Sequence, residues 1–368
     1  MATSGCPRVL HISTEKTYRG GERQLVWLHE GLASQNWESH LICRRDGELA
    51  ERDVENSTGF PWNGSHDIGG FIHALRLCHS ISPDLIHCHD SHAHNIGSLL
   101  RVMRGIPVVV TRRVVFPIRD TRFNRWRFGH VDQIIAISKA VARECQQMAP
   151  MIPISVVPDG VKWGNRGKGR DYLRSELGLE PSQVVLGTVG FFTEEKNFDL
   201  ILQAADHLGS HRPEAVLLCI GPLSSALQVQ AKERPNIRLT GRVPNASDYY
   251  PAFDLYISSS TQEGLGSSLL DAVVRDIPVV AVDSIGGRDI FGNDNALIAA
   301  DQPKVFLQEV EEVVKSLTEA RRRAEVRGDR ARKQFSVYGM IAKNVSVYDH
   351  LVGIHCDTLH DNEFSGEN

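Results

Sequence analysis

The amino-acid sequence predicts an α/β protein built from two doubly wound, parallel-sheet domains that face each other across a central cleft. Its 368 residues suit two domains, each able to bury its own core. Short runs rich in β-branched residues alternate with amphipathic segments of helical length, which is the pattern of βαβ units. The alternation stops at a polar, glycine-rich break over 162–170 and then restarts, which predicts the second domain.

Eleven strands follow from this pattern, six before the break and five after it. The first series is 8–13, 39–43, 85–89, 107–111, 133–137 and 155–157. The second series is 184–189, 215–220, 236–240, 254–257 and 278–282. Helices are predicted between the strands, as at 21–34 and 68–80, and after them at 303–333 and 337–351. Ligands of such sheets bind beyond the carboxyl ends of the strands, so the cleft is the expected site.

The break divides the chain into an N-terminal domain, 1–160, and a C-terminal domain, 171–335. We expect the helix within 336–355 to pack back toward the N-terminal domain. The polar tail 356–368 is expected to be frayed.

Composition narrows the classes of function. Lys and Arg number 41 against 45 Asp and Glu, so no global positive field argues for nucleic acid. The seven cysteines are dispersed and odd in number, which favours reduced thiols. The sequence shows no signal-like start and no apolar run near the roughly 20 residues of a membrane span. We therefore expect a cytoplasmic protein, peripheral at the inner face if it meets a membrane.

A glycine-containing run after strand 254–257 carries the strongest chemical signal. Its members are Glu263, Gly264, Leu265, Gly266, Ser267, Ser268 and, in the helix that follows, Asp271. Small residues leave backbone N–H groups uncovered at a helix N-terminus, which suits phosphate. Two carboxylates eight positions apart can accept hydrogen bonds from sugar and ribose hydroxyls. An ordinary loop and helix with a solvated Asp271 is the alternative.

Glu263 and Asp271 resemble the paired acidic motif of the retaining GT-B glycosyltransferases of the family 4 type, the group 1 glycosyltransferases. The run from Val189 to Asn197 is similar to the phosphate-binding turn of that family, and Arg19-Gly-Gly is similar to the glycine loop of its acceptor domain. The resemblance extends from residue 8 to about residue 353. It implies the GT-B fold, with the acceptor on the N-terminal domain and the nucleotide sugar on the C-terminal domain.

The resemblance also implies a function. A hexosyl group would move from a UDP-, GDP- or ADP-sugar to an acceptor hydroxyl with retention, without a cofactor or metal, in cell-surface glycan or lipopolysaccharide-type synthesis. Glu263 takes the position that orients the donor sugar, and Lys196 takes the position that stabilises the departing diphosphate. The donor-binding residues that follow are Gly190, Asn197, Gly221, Gly264, Leu265, Gly266, Ser267, Ser268 and Asp271.

The phosphate turn departs from the family pattern. An Arg commonly follows its glycine, whereas this chain has Phe191 and Phe192 after Gly190. Lys196 is kept, so the second diphosphate cation is missing or comes from elsewhere. Arg242 and Arg288 are candidates by reach rather than by motif.

Two milder departures are Asp271, where the family has Glu, and Leu265, where it has Phe. Three hypotheses therefore stand: a glycosyltransferase, a catalytically eroded module that binds a sugar nucleotide or a glycan on the same fold, and a sugar-nucleotide epimerase. Product formation separates the first two. Release of an altered free sugar nucleotide identifies the third.

The acceptor side has less specific signals. Gly20 and Gly21 let an acceptor or a donor diphosphate approach the following helix, or simply make a tight turn. Arg112 ends a strand and suits the phosphate of a lipid-linked or phosphorylated acceptor, or a surface salt bridge. The histidine-rich run 87–94 invites a metal site. We expect no metal there, and instead contacts from His89 and His92 in the cleft, or plain packing.

Residues 119–128 interleave Arg with Phe123, Trp126 and Phe128 in the most basic part of the chain. Cationic, aromatic segments suit anionic membrane surfaces. No nucleic-acid motif accompanies this one, so nucleic acid is not an expected partner. Core packing of the aromatic rings with solvated Arg side chains is the alternative.

Overall fold

The computed structural model describes residues 6–64, 67–163, 169–192, 196–292 and 297–354. Within them, the strands form two sheets in which every pairing between strands is parallel. The N-terminal sheet holds β1 Arg8–Ser13, β2 Glu38–Arg44, β3 Ser57–Phe60, β4 Leu85–Cys88, β5 Val108–Arg112, β6 Gln133–Ala136 and β7 Ile154–Val156. The C-terminal sheet holds β8 Val184–Val189, β9 Ala215–Ile220, β10 Ile237–Leu239, β11 Leu255–Ser258, β12 Val279–Val282 and β13 Leu297–Ile298.

Helices cover the sheets. Those of the N-terminal half are α1 Gly20–Gly31, α2 Ile68–Ile81, α3 Ser91–Arg104, α4 Arg122–Phe128 and α5 Lys139–Met148. Those of the C-terminal half are α6 Arg170–Glu176, α7 Phe198–His211, α8 Ser225–Lys232, α9 Ser267–Val273, α10 Ile285–Phe291, α11 Pro303–Lys315, α12 Leu317–Gln334 and α13 Val337–Val352. Short 3₁₀ turns lie at Leu32–Gln35 and Ala246–Ala252.

Strand order places the ligand crevice. The first sheet runs β3-β2-β1-β4-β5-β6-β7 and the second β10-β9-β8-β11-β12-β13, so the order reverses between β1 and β4 and between β8 and β11. Ligands bind at such switch points, outside the carboxyl ends of the strands. The loops after β8 and β11 carry Gly190 and Glu263, and the loop after β1 leads into the Gly20–Gly21 pair at the start of α1. The predicted fold class of two doubly wound parallel-sheet domains is confirmed.

Two observed strands are missing from the prediction. β3 reads Ser-Thr-Gly-Phe at the edge of its sheet, and β13 is a two-residue strand at the opposite edge of the other. Short edge strands carry little of the β-branched signal on which a sequence prediction depends. The ends of the other strands differ from the prediction by at most one residue.

The last helix packs on the N-terminal half of the molecule. α13 contacts α1, and a Cβ placed on Gly31 of α1 would lie 2.2 Å from Ile341 Cδ1, so this close approach needs the glycine. Trp37 Nε1 donates to Asp349 Oδ1 at 3.0 Å. The backbone N–H of Val161 donates to the Phe335 carbonyl at 2.7 Å, so the two segments that cross between the domains lie side by side.

Parts of two predicted segments lie outside the described residues, namely 164–168 of the break and the tail 356–368. Among the described residues, no helix combines the length and the apolar character needed to span a membrane.

Candidate active site

A cavity of about 440 Å³ lies between the two domains at the switch points. Its N-terminal wall consists of Tyr18, Arg19, Gly20, Arg23, Glu48 and Arg52. Its C-terminal wall includes Gly190, Phe191, Lys196, Gly221, Arg242, Asn245, Tyr250, Glu263, Ser267, Ser268 and Asp271. The structure therefore brings together nine residues that the sequence singled out: Gly20, Gly190, Lys196, Gly221, Arg242, Glu263, Ser267, Ser268 and Asp271.

Glycine is required where the walls come closest. Gly221 has φ 124°, and a Cβ there would lie 2.0 Å from the carbonyl oxygen of Gly190. A Cβ on Gly264 would lie 2.0 Å from the carbonyl oxygen of Arg113, which belongs to the N-terminal domain. The Glu263 loop thus rests directly on the opposite domain.

Lys196 and Glu263 form an ion pair inside the cavity. Their side chains are 25% and 15% exposed, so each remains accessible to a ligand. Ser259 Oγ donates to the Lys196 carbonyl at 2.5 Å and holds the start of α7 against the loop after β11. The pair places a cation and an acid side by side, and the sequence had singled out each of them from a separate motif.

Asp271 is buried and fully engaged, so its interpretation as a solvated helix residue is wrong. Its Oδ2 accepts from Arg23 Nη2 at 3.0 Å and from Ser247 Oγ at 3.4 Å, and its Oδ1 accepts from Arg275 Nη1 at 2.8 Å. Burial acts to lower the pKa of Arg23, but the charge and hydrogen bond of Asp271 leave that pKa raised. A ribose hydroxyl that donates to Asp271 would either join these three donors or replace one of them.

Two arginines lie near the ring of Phe191. The guanidinium carbon of Arg19 is 4.6 Å from the centroid of that ring, and that of Arg242 is 5.9 Å away. Arg242 also pairs with Glu48 of the N-terminal domain. Arg288, the other candidate for the missing cation, pairs with Asp283, is 68% exposed and is not among the cavity residues.

Some predicted donor residues shape the cavity without lining it. Asn197 caps α7 in the left-handed region at φ 43° and is exposed. Leu265 is 2% exposed and packs in the core. Gly266 has φ 84° and begins α9. Roles of these residues in donor binding stay predictions.

Three histidines, His11, His87 and His89, form a layer at the N-terminal sheet beside helices α1 and α13, in which His11 and His87 are buried and His89 is half-buried. His11 and His87 are register partners on β1 and β4, and His11 Nδ1 lies 2.9 Å from His89 Nε2. His87 hydrogen-bonds through one ring nitrogen to Tyr348 Oη at 2.5 Å and through the other to Thr111 Oγ1 at 2.6 Å. Burial lowers the pKa of all three, that of His87 to about 3, so the rings are neutral at neutral pH.

One ring nitrogen from each of His11, His87 and His89 lies within 4.8 Å of the other two, close enough to hold a metal ion. The sequence pattern pointed to His87 and His89 but missed His11, which comes from another strand. His92 is exposed on α3, with its ring 6.2 Å from that of Trp62. Neither His89 nor His92 is among the residues of the cavity.

Arg112 does not line the cavity as predicted, whereas its neighbour Arg113 lies closer to it. Arg112 Nη2 donates to the carbonyl of Phe116 at 2.5 Å and lies away from the cavity. Arg113 pairs with Asp159, and its side chain approaches Gly21, where a Cβ would lie 3.2 Å from Arg113 Cδ. Of the two, Arg113 lies at the contact between the domains.

Sequence reasoning missed Arg19, Arg23 and Glu48. Arg19 is the N-cap of α1 and Arg23 lies in its first turn, and the available signal was their place beside the glycine pair. Glu48 meets Arg242 across 194 positions of chain, and no local pattern marks such a contact.

Comparison with known proteins identifies the family that this chain resembles. A model described as "Glycosyltransferase Family 4" matches residues 18–162, and one described as "Glycosyl transferases group 1" matches 183–316. The Bacillus subtilis protein TuaC, named for teichuronic acid biosynthesis, is 27% identical over 229 residues, which are 59% of this chain and 57% of that protein. The Escherichia coli UDP-Gal:alpha-D-GlcNAc-diphosphoundecaprenol alpha-1,3-galactosyltransferase is 20% identical over 312 residues, 77% of this chain and 80% of the relative.

Among solved structures, Anabaena Alr3699/HepE in complex with UDP and glucose superposes with a TM-score of 0.77 at 16% identity. The match covers 93% of this chain and 99% of HepE. It shows that the two chains share the GT-B fold.

Proposed function

Because the chain belongs to the group 1, family 4 glycosyltransferases, we propose that it moves a hexosyl group from a nucleotide-diphosphate sugar to an acceptor hydroxyl with retention of configuration. The donor would occupy the cavity between the domains. A glycan, lipid-linked or small acceptor would approach from the N-terminal domain. The E. coli and B. subtilis relatives, named for a diphosphoundecaprenol acceptor and for teichuronic acid, support a place in cell-surface glycan synthesis.

The meeting of Lys196, Glu263 and Asp271 in one cavity carries the proposal. The three come from two separate loops and a helix, and each faces residues of the same cavity. A cation suits the diphosphate, and two carboxylates suit the hydroxyls of a sugar and a ribose.

The reaction needs charge stabilised at two places. Negative charge builds on the departing diphosphate as the glycosidic bond breaks, and Lys196, which lines the cavity, would offset that charge. Positive charge builds on the sugar ring, and the Glu263 carboxylate is its counter-charge. Because both charges exist only as the bond breaks, stabilising them lowers the barrier rather than tightening ground-state binding.

Retention follows if the acceptor attacks the face from which the diphosphate leaves. A departing phosphate oxygen can then take the acceptor proton, so no separate base is required from the protein. The Glu263 loop rests on the N-terminal domain at Arg113, so the reacting atoms would lie close to the contact between the two domains.

A panel of UDP-, GDP- and ADP-sugars tests the proposal. At a hundredfold excess over Kd, the matching donor stabilises the protein by about 2.7 kcal/mol and raises its Tm. Adding an acceptor panel of lipid extract and free sugars should release nucleoside diphosphate. No Tm shift with any donor contradicts the proposal.

A second candidate is a module that binds a sugar nucleotide or a glycan without transferring sugar. The observation in its favour is Phe191 at the position where the family commonly has Arg. Donor binding without nucleoside diphosphate release in the presence of acceptors would identify it.

We also propose that the acceptor domain adsorbs to anionic membrane through residues 119–128. Phe123 is 53% exposed, and the nearby Phe116 is also exposed. Arg119 and Arg122 lie exposed on the same segment. Apolar side chains that insert and arginines that meet head groups are what such adsorption needs.

A further inference from the structure

We propose that Arg19 of the N-terminal domain supplies the second cation of the diphosphate site, held in place with Arg242 by the ring of Phe191. This inference rests on the proposed function and deepens it, because it assigns a donor-binding role to the domain opposite the nucleotide. It also changes the meaning of Phe191. The ring would orient two cations where the family pattern places one.

Three separate elements bring these side chains together. Arg19 caps the N-terminus of α1, Phe191 follows β8, and Arg242 follows β10. Their guanidinium carbons lie 4.6 and 5.9 Å from the ring centroid. All three line the cavity that holds Lys196 and Glu263.

Contact with the Phe191 ring leaves the arginines able to bind phosphate. A guanidinium is attracted to the face of an aromatic ring, whereas its N–H donors lie in its own plane and point outward. Contact with the ring therefore restrains the head group without using its hydrogen-bond donors. Phosphate oxygens accept such paired donors well.

The charge pattern of the cavity leaves two of its arginines, Arg19 and Arg52, outside any ion pair among the described residues, and Arg52 lies instead over the ring of Tyr18, 3.5 Å from its centroid. Lys196 pairs with Glu263, Arg23 with Asp271, and Arg242 with Glu48. Across the described ranges, Arg19 takes part in no ion pair. Its backbone N–H donates to Glu22 Oε2 at 2.8 Å, which does not involve the guanidinium. A diphosphate could therefore recruit Arg19 without breaking a salt bridge in the described structure.

The position of Arg19 gives this site a property of its own. Lys196 and Arg242 belong to the C-terminal domain and Arg19 to the other, so a bound diphosphate would connect the domains. Gly20, the next residue, is already close to the Ser267 turn, since a Cβ there would lie 3.1 Å from Ser267 Oγ. The leaving group would then be fully neutralised only while the two domains are in contact.

Calorimetry on the full chain tests the assignment, with UDP, UMP and uridine or the matching guanine and adenine sets. Arg19→Ala should weaken nucleoside diphosphate binding by roughly 10–150-fold, as expected for one charge-assisted contact. The loss should be much smaller for the monophosphate and absent for the nucleoside. Arg19→Lys should recover part of the affinity, because it keeps the charge but not the stack. Arg288→Ala is the matched control outside the cavity and should bind like wild type.

Two outcomes overturn the inference. One is unchanged diphosphate affinity in Arg19→Ala. The other is an equal loss for diphosphate, monophosphate and nucleoside, which would make Arg19 a packing residue of the interdomain contact. If wild-type protein binds none of the nucleoside diphosphates, the proposed function itself fails, and the inference fails with it.

Discussion

Lys196 and Glu263 form an ion pair in the cavity, so each side chain affects the other's response to substitution. Replacing Glu263 with Gln keeps the shape of the side chain, removes its charge and frees Lys196. We expect nucleoside diphosphate affinity to be equal to or higher than that of wild type. Turnover should fall by about 10²–10³-fold, the usual loss when one electrostatic partner of the transition state is removed. Steady-state kinetics and calorimetry measure the two effects, and an unchanged rate would rule out the assigned role of Glu263.

Lys196→Ala should act on binding as well as on rate. Loss of one charge-assisted contact to the diphosphate should weaken nucleoside diphosphate binding by roughly 10–150-fold. Calorimetry checks this directly. Lys232→Ala, at the exposed end of α8, is a control that removes the same single positive charge outside the cavity. Equal affinity in the Lys196 variant and wild type would place Lys196 outside the phosphate site.

Asp271 has a structural role beside any contact with ribose. Asp271→Ala would leave Arg23 and Arg275 without their shared carboxylate in a largely buried setting. Breaking a buried ion pair by removing one partner costs about 3–5 kcal/mol, so the free energy of unfolding should drop by a comparable amount. Urea unfolding measures the loss. Asp248→Ala, a surface change nearby, should have little effect; if the two variants unfold alike, the three-residue contact does not stabilise the fold.

At the scale of elements, the arginines of α4 differ in their surroundings, since one is bound inside the domain and another lies at the surface. Arg127 Nη1 donates to the Ser91 carbonyl and to Asn95 Oδ1, both at 3.1 Å, so this arginine holds α4 to α3. Arg125 pairs with Asp120 at the surface, where both side chains are more than 60% exposed. The cations available to a membrane are therefore Arg119, Arg122 and Arg125.

Replacing Arg119, Arg122 and Arg125 together with Ser should reduce adsorption to anionic liposomes. Each arginine near an anionic leaflet contributes about 1 kcal/mol, and salt screens the attraction beyond roughly 8–10 Å. Co-sedimentation of wild type should rise with anionic lipid and fall with salt. The control replaces three exposed cations of α12, Arg322, Arg323 and Lys333, and should sediment like wild type. If the wild-type protein does not sediment with anionic liposomes at low salt, residues 119–128 do not bind membrane.

The elements also show how far the sequence alone could go. The bounds of β1, β8 and β9 were predicted without error, because long β-branched runs bounded by polar turns leave little choice. Glu263, Lys196 and Asp271 were found from local motifs. Their partners from the opposite domain were not, because Arg23 reaches Asp271 and Arg19 reaches Phe191 across the cleft, and a cross-domain contact leaves no periodic trace in the chain.

At the scale of the whole molecule, the histidine layer connects the first strand to the last helix. Burial lowers the folded-state pKa of His11, His87 and His89 below the ordinary value of 6.5, so the unfolded chain binds protons that the folded chain does not. The three histidines therefore cost no stability above about pH 6.5. The free energy of unfolding falls as the pH drops from there toward about 3, where His87 of the folded protein becomes protonated. Each group adds a slope approaching about 1.4 kcal/mol per pH unit.

Urea unfolding between pH 7.5 and pH 5 checks this dependence, since most carboxylates stay ionised over that range. His87→Gln should lower the free energy of unfolding at pH 7.5. It should also make the fall of that free energy with decreasing pH shallower, by up to the amount that one proton contributes. His79→Gln, which removes an exposed histidine, should keep the wild-type slope. Equal stability of wild type at pH 5 and pH 7.5 would show that the layer accepts protons without unfolding.

The account as a whole depends on sugar transfer between the two domains. Its most direct test follows the reaction with the donor and acceptor found in the panel, and measures nucleoside diphosphate and glycoside together by proton NMR. We predict equal amounts of the two products, formed only when acceptor is present, with the new glycosidic bond in the same anomeric configuration as the donor. An inverted product, an altered sugar nucleotide without transfer, or binding without any product would contradict the account.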